Sequence, residues 1–243
     1  IFQQKKIPLS SKNITNTVEK SLHNLKIDCL DLLQLHYFDS KTPIEETIST
    51  IIELIKLGKI KNYGICNYYP NELKKLFNFL NKNKKKKPYS SQIHYNLIER
   101  KAETDLIPIL KKNNTKIFAN RVFSMGILSG QYVKLNKYPI ESRANKSKRI
   151  FKYITKRNIS ISKILNSISE KINTETINLS IKWLEENDSI NNPIIGINKM
   201  NYIKNFYTYN KNLKKKIDIL EIEEKLKKFN KSIMSSPKKY LIL

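Results

Sequence analysis

The sequence predicts an α/β protein built on parallel β-strands, and three observations lead there. Short apolar runs alternate with stretches of helical periodicity along most of the chain. The links between them are short, and no run shows the strict polar–apolar alternation of an antiparallel strand wetted on one face. The carboxyl end of each apolar run carries polar residues or glycine, where parallel α/β proteins place their chemistry.

In order, Ile14, Val18, Leu22 and Leu25 recur at helical spacing over 11–25, with Ser10 or Ser11 available as cap. Residues 29–35 form a nearly continuous apolar run, expected to be a strand covered on both faces. Thr42-Pro43-Ile44-Glu45 predicts a helix start in which Thr42 caps, Pro43 takes the first helical position and Glu45 completes a capping box. Ile44, Ile48, Ile51, Ile52 and Ile55 give that helix its buried stripe, and Gly58 ends it. Strands follow at 60–66, 91–93, 116–120 and 193–197. Helices are expected at 70–80, 103–112, 160–172, 175–187, 199–208 and 213–229, with a long polar segment over 134–158. Five parallel strands fit either a small doubly wound sheet or part of a barrel, and periodicity leaves both open. No glycine-rich nucleotide fingerprint follows any strand.

The net charge of +25 invites a nucleic-acid reading, but Arg supplies only five of the 46 basic residues. Lysine accompanies an excess of Ile and Asn, as a biased genome composition would produce, and it is spread along every segment. Lys84 to Lys87 lies between a helix and a strand and reads as a solvated loop, so no nucleic-acid partner is expected. No apolar run approaches the ~18–20 residues of a membrane helix. Cys29 and Cys66 are too isolated for a disulfide framework or a zinc site, which points to a reducing cytoplasm and no metal. The chain starts at Ile1 without an initiator Met.

Reading the strand ends gives His36, Cys66-Asn67, Gln92, Asn120-Arg121 and Gly196-Ile197-Asn198-Lys199. A single such residue is ordinary turn chemistry, but five successive ends point to a ligand site along one rim.

Five blocks then carry a resemblance. Ser21 to His36 (SLHNLKIDCLDLLQLH), Gly58 to Tyr68, Gln92 to Arg100 (QIHYNLIER), Gly126 to Tyr132 (GILSGQY) and Pro193 to Gly196 (PIIG) appear in an order and spacing similar to those of the aldo-keto reductase family. The resemblance covers roughly Lys12 to Phe229. It implies a (β/α)8 barrel of TIM type, of which this chain holds about strands 4–8 in one domain, its N-terminal strands missing. It also implies NAD(P)(H)-dependent hydride transfer between nicotinamide and a small carbonyl or alcohol substrate.

By resemblance, His36 polarises the substrate carbonyl, and Asn67 and Gln92 hold the nicotinamide carboxamide. Cys66 stands where the family usually has Ser, and Asn120 stands where it has a stacking Tyr. Arg121-Val122-Phe123 replaces Ser-Pro-Leu, and Gly126 opens the following turn. Gly196, Ile197, Asn198 and Lys199 match the turn that cradles the adenosine phosphate, with Lys199 favouring NADP(H), and Tyr202 and Phe206 fall at the adenine. The family's proton-donor Tyr, with its Asp and Lys, has no match in these residues. The expectation is a chain inactive by itself, with a cofactor-binding regulatory module of the same fold as the alternative.

Overall fold

In the computed structural model, residues 8–132, 138, 140, 142–197, 200 and 216–229 are described. They divide into two compact units. The first comprises 8–93 and 103–117, and the second 94–102 with the described residues from 118 onward.

The first unit begins with helix α1 (Ser11–Leu25), whose buried side is Ile14, Val18 and Leu22, while Leu25, the fourth residue of the expected stripe, is exposed. Strand β1 (Leu30–Leu35) pairs in parallel with β2 (Ile60–Cys66), Leu30 opposite Ile60 and Leu35 opposite Ile65. Strand β2 pairs in parallel with β3 (Ser90–His94), with Gly64 opposite Ser90 and Cys66 opposite Gln92. Beyond Tyr89, the backbone N–H of Lys116 donates to the Tyr89 carbonyl at 3.0 Å as β4 (Lys116–Asn120) begins.

Strand β2 is the buried strand, with Ile60, Tyr63, Ile65 and Cys66 inside. Only Leu35 of β1 is buried, which corrects the expectation of a strand covered on both faces. Among the described residues β1 pairs with β2 alone, and an edge strand keeps more contact with solvent.

Helices α2 (Ile44–Lys56) and α3 (Pro70–Lys82) bury Ile48, Ile51 and Leu54, and Leu73, Leu76, Phe77 and Leu80. Each such aliphatic side chain contributes about 1.5–3 kcal/mol on burial. The start of α2 differs from expectation. Pro43 occupies the cap position, and the Thr42 hydroxyl donates to Asp39 Oδ2 at 2.6 Å instead of capping. Asp39 also accepts from the backbone N–H groups of Leu9 and Lys41, each at 2.9 Å, so this carboxylate organises the loop after β1. At α3, Pro70 holds the first turn and Glu72 reaches back to accept from the Tyr69 N–H at 2.7 Å. The expected helix over 103–112 is two pieces, α4 (Ala102–Asp105) and α5 (Ile107–Lys112). Pro108 lacks the N–H that a continuous helix would need there.

In the second unit, β4 pairs in parallel with β5, Phe118 opposite Asn192 and Ala119 opposite Pro193. Strand β5 is only Asn192–Pro193, against the expected 193–197. The Ile194 N–H still donates to Ala119 at 2.7 Å, but 194, 196 and 197 are exposed and the ladder stops. The polar segment includes α6 (Arg143–Lys146) and a 3-10 turn (Lys148–Lys152). Helix α7 (Lys156–Lys171) starts earlier than expected because Thr155 caps it, accepting from Asn158 N–H at 3.2 Å. Helix α8 (Thr176–Glu185) and helix α9 (Ile219–Leu226) complete the described core. Glu223 of α9 accepts both Arg100 bonds, at 2.9 and 2.8 Å, and the Trp183 indole N–H at 2.6 Å. The Arg100 guanidinium lies 5.1 Å above the Trp183 ring, and Tyr95 stacks at 5.1 Å from it. The helix expected at 199–208 lies outside the described residues.

Candidate active site at the strand ends

The first unit gathers four of the expected residues at the carboxyl ends of β1, β2 and β3. His36 follows β1 directly and is exposed, its ring 4.1 Å from that of Tyr37. Asn67 follows β2 in a left-handed conformation (φ 57°), which costs a non-glycine residue energy and marks a position held for a purpose. Its backbone N–H donates to Gln92 O at 3.3 Å, and its side-chain Nδ2 donates to His36 O at 3.0 Å. One amide therefore ties three strand ends together and leaves its Oδ1 as the acceptor it offers.

Cys66 Sγ lies 3.5 Å from both Gln34 Oε1 and Gln92 Oε1. The thiol has one proton, so it serves one amide oxygen at a time. Burial pushes this thiol up to about 12, so it is un-ionised at neutral pH. Gln34 was not foreseen as a site residue. The signal for it was a lone amide inside an apolar run, two residues before His36 and hence on the same face of the strand. Gly64 makes room for it, since a Cβ there would stand 2.4 Å from Gln34 Oε1 and 2.7 Å from Ser90 Oγ.

The second unit gathers Asn120, Arg121, Val122, Phe123 and Gly126 at the end of β4. Arg121 (φ 54°), Ser124 (φ 44°) and Met125 (φ 61°) are all left-handed, and Gly126 at φ 102° takes a conformation only glycine tolerates well. The turn is held from below by Asn96, which is fully buried. Asn96 Nδ2 donates to Arg121 O at 2.9 Å and to Glu99 Oε2 at 2.8 Å, and its Oδ1 accepts from the N–H groups of Ile98 and Glu99. The Arg121 guanidinium donates to the Tyr153 hydroxyl and lies 5.9 Å from that ring.

Burial raises the Glu99 carboxyl, opposed by the Asn96 bond and the Arg121 charge. Burial, with Arg121 beside it, pushes His94 down to about 3 and keeps its imidazole neutral. Asn96, Glu99 and Tyr153 were not foreseen either. A polar Asn between Tyr95 and Leu97 in an apolar stretch was the available clue. At this turn Val122 is buried and Phe123 half-buried. Gly196 and Ile197 are exposed after β5, and Asn198, Lys199, Tyr202 and Phe206 lie outside the described residues.

In the first unit the amides suit the nicotinamide end of a nicotinamide nucleotide. Asn67 Oδ1 and the Gln92 side chain suit a carboxamide. In the second unit, Asn120 Oδ1 is buried with no hydrogen-bond partner among the described residues.

Strands joined by helices, with amides and a histidine at their carboxyl ends, define the class of α/β proteins that bind a ligand at the strand-end rim. The sequence pattern of the Aldo/keto reductase family matches residues 3–227, and the chain belongs to that family. It is similar to the L-glyceraldehyde 3-phosphate reductase of Escherichia coli K12, with 26% identity over 196 residues. That match covers 78% of this chain and 56% of the relative. A probable voltage-gated potassium channel subunit beta of Oryza sativa is 25% identical over 201 residues, covering 80% of this chain and 60% of that protein. The chain thus spans little more than half the length of these curated relatives. Its fold is similar to that of the glycerol dehydrogenase of Gluconobacter oxydans, with a TM-score of 0.72, 21% identity, and coverage of 90% of this chain and 65% of that one. The architecture is accordingly the parallel, barrel-type α/β fold of this oxidoreductase family.

Proposed function

We propose that this chain supplies the cofactor seat and the carbonyl-polarising histidine of an NAD(P)(H)-dependent oxidoreductase acting on a small carbonyl or alcohol. The supporting observation is the tie between His36, Asn67 and Gln92 in the first unit, built on a left-handed Asn67. In this reading the bound nicotinamide supplies the hydride. Asn67, Gln92 and the Cys66 thiol orient its carboxamide, while His36, exposed at the rim, donates a hydrogen bond to the substrate oxygen. Arg121 and Asn120, at the β4 turn of the second unit, are assigned to nucleotide binding as well. Gly196, Ile197, Asn198, Lys199 and Tyr202 are assigned to the adenosine phosphate, and Lys199 to a preference for NADP(H).

We further propose that residues 1–243 contribute about strands 4–8 of a (β/α)8 barrel, in one domain, acting in the cytoplasm. No residue here matches the family's proton-donor Tyr, so the 243-residue chain by itself is expected not to turn over simple aldehydes. A second reading is a cofactor-holding module with little chemistry. It draws on the absence of that match and on the relative described as a probable potassium channel subunit beta.

The test is His36→Ala in the whole protein that carries this sequence. Carbonyl reduction should fall by on the order of 10–1000-fold, with NADPH affinity nearly unchanged. Unaltered turnover would return His36 to a surface role. NADPH binding without any turnover in the whole protein would favour the second reading.

A further inference from the structure

The amino-terminal rim of the first unit, opposite its carboxyl-end site, carries a different chemistry. Strands β1, β2, β3 and β4 are entered from links that follow α1, α2, α3 and α5, so these four links lie where the strands begin. Hydrogen bonds stitch the links into one surface. The Leu30 N–H donates to Lys59 O at 3.0 Å and the Lys116 N–H to Tyr89 O at 3.0 Å. Lys86 Nζ donates to Lys61 O at 3.1 Å, and Asn81 Nδ2 to Asn113 Oδ1 at 3.4 Å. All four large apolar side chains that the first unit leaves exposed among the described residues are here: Leu25 (60%), Leu57 (62%), Ile27 (43%) and Tyr89 (40%). Residues 23–29, 54–59, 80–89 and 110–116 hold eleven lysines, nine of them exposed, against a single acid, Asp28. The carboxyl-end links 36–43 and 67–69 hold one lysine and one acid, Lys41 and Asp39. Biased composition accounts for the number of lysines but not for this one-sided placement. Each helix end here carries about half a negative charge, which offsets only a small part of the excess.

We propose that this rim is a docking surface for an anionic lipid bilayer, with Leu25, Ile27 and Leu57 entering the headgroup region and the lysines engaging the lipid charges. The pattern decides between partners. The first unit holds no arginine, the residue suited to bidentate contacts with nucleic-acid bases and phosphates, and aliphatic tips gain nothing from a sugar-phosphate backbone. A protein interface gathers its apolar side chains at a charge-poor centre. Here they alternate with lysines, as Leu25-Lys26-Ile27 and Lys56-Leu57-Gly58-Lys59. In that arrangement lysine stems lie along the apolar zone while their ammonium groups reach the headgroups. Docked this way, the carboxyl-end site of the first unit, with His36, Asn67 and Gln92, faces away from the bilayer and stays open to ligand.

The test is co-sedimentation of the 243-residue chain with vesicles of phosphatidylcholine alone and of equimolar phosphatidylcholine and phosphatidylserine. The parent should bind the mixed vesicles and not the neutral ones, and added salt should weaken that binding. Because the whole chain is basic, variants locate the contact. Lys85, Lys111 and Lys112, all exposed, changed together to Gln should lower the affinity roughly 100-fold, at about fivefold per lysine. The same change at Lys148, Lys152 and Lys163, exposed in the second unit, should alter it little. Leu25→Gln combined with Leu57→Gln should weaken binding roughly tenfold at unchanged charge. All these side chains are exposed, so the variants should keep the parent's circular dichroism and melting temperature. Failure of the folded parent to bind mixed vesicles overturns the proposal. So does an equal loss from the two lysine triplets, which would mean a diffuse charge effect, or a leucine pair that binds as the parent does. If duplex RNA or polyglutamate binds while mixed vesicles do not, the rim belongs to nucleic acid or to an acidic protein, and the proposal fails.

Discussion

Replacing Asn96 with Ala removes a side chain that makes four hydrogen bonds in a fully buried position. The four losses are unequal. The Glu99 N–H keeps a bond to Asn96 O at 3.1 Å, and the Arg121 carbonyl keeps the Ser124 N–H at 2.6 Å. The buried Ile98 N–H retains no partner in the described network, which costs about 1–3 kcal/mol. The Glu99 carboxylate loses a charge-assisted bond, of about 1.5–3 kcal/mol. A destabilisation of about 3–5 kcal/mol follows, and a lowering of the melting temperature by roughly 6–20 °C. The assay is thermal unfolding followed by circular dichroism, with hydrogen exchange of 121–126 as the local readout. Exchange there should rise before global melting, because the left-handed backbone of Arg121 loses its anchor. A second variant, Asn96→Asp, keeps the two accepting bonds but faces Glu99 with another carboxylate. Each acid then raises the other's folded pKa, so its stability should recover as pH falls through the carboxylate range and be lost as pH rises. A melting temperature within roughly 2 °C of the parent for Asn96→Ala would refute the claim that Asn96 holds the turn.

Cys66 should resist alkylation by iodoacetamide in the native chain while the half-buried Cys29 reacts first. Because burial pushes this thiol up to about 12, above an unfolded thiol, the associated stability is fully present below the ordinary thiol range and is lost as pH rises from there toward about 12. Equal native-state labelling of both thiols by mass spectrometry would contradict this. For cofactor choice, Lys199→Glu in the whole protein should reverse or abolish a preference for NADPH over NADH, since it trades attraction for repulsion. Calorimetry giving equal affinities before and after the change would count against the assignment of Lys199.

The helix α1 and strand β4 were legible to the residue, because each has an uninterrupted pattern. Where the reading slipped, a particular side chain found a nearer partner. Thr42 bonded to Asp39 instead of capping α2, and Thr155 capped α7 four residues ahead of its apolar stripe. Candidate residues that follow a strand were assigned from their position alone, as with His36, Asn67 and Arg121. Gln34, Asn96, Glu99 and Tyr153 escaped because their part is to touch those residues, and contacts between Asn96 and Arg121, 25 positions apart, leave no periodic mark. The same holds for β5, whose apolar letters continue to Ile197 while its ladder ends at Pro193.

Glu223 joins Arg100, far back in the chain, to the indole of Trp183, and this has an optical consequence. The protein has a single tryptophan, so light absorbed in the indole band comes back from one address only. That indole is 4% exposed, hydrogen-bonded to a carboxylate, covered by a guanidinium and in van der Waals reach of a phenol ring. Its emission colour and lifetime therefore record whether α9 is seated. When the helix lifts away, the indole loses its acid partner and meets water, and the spectrum moves to the red without any label having been attached.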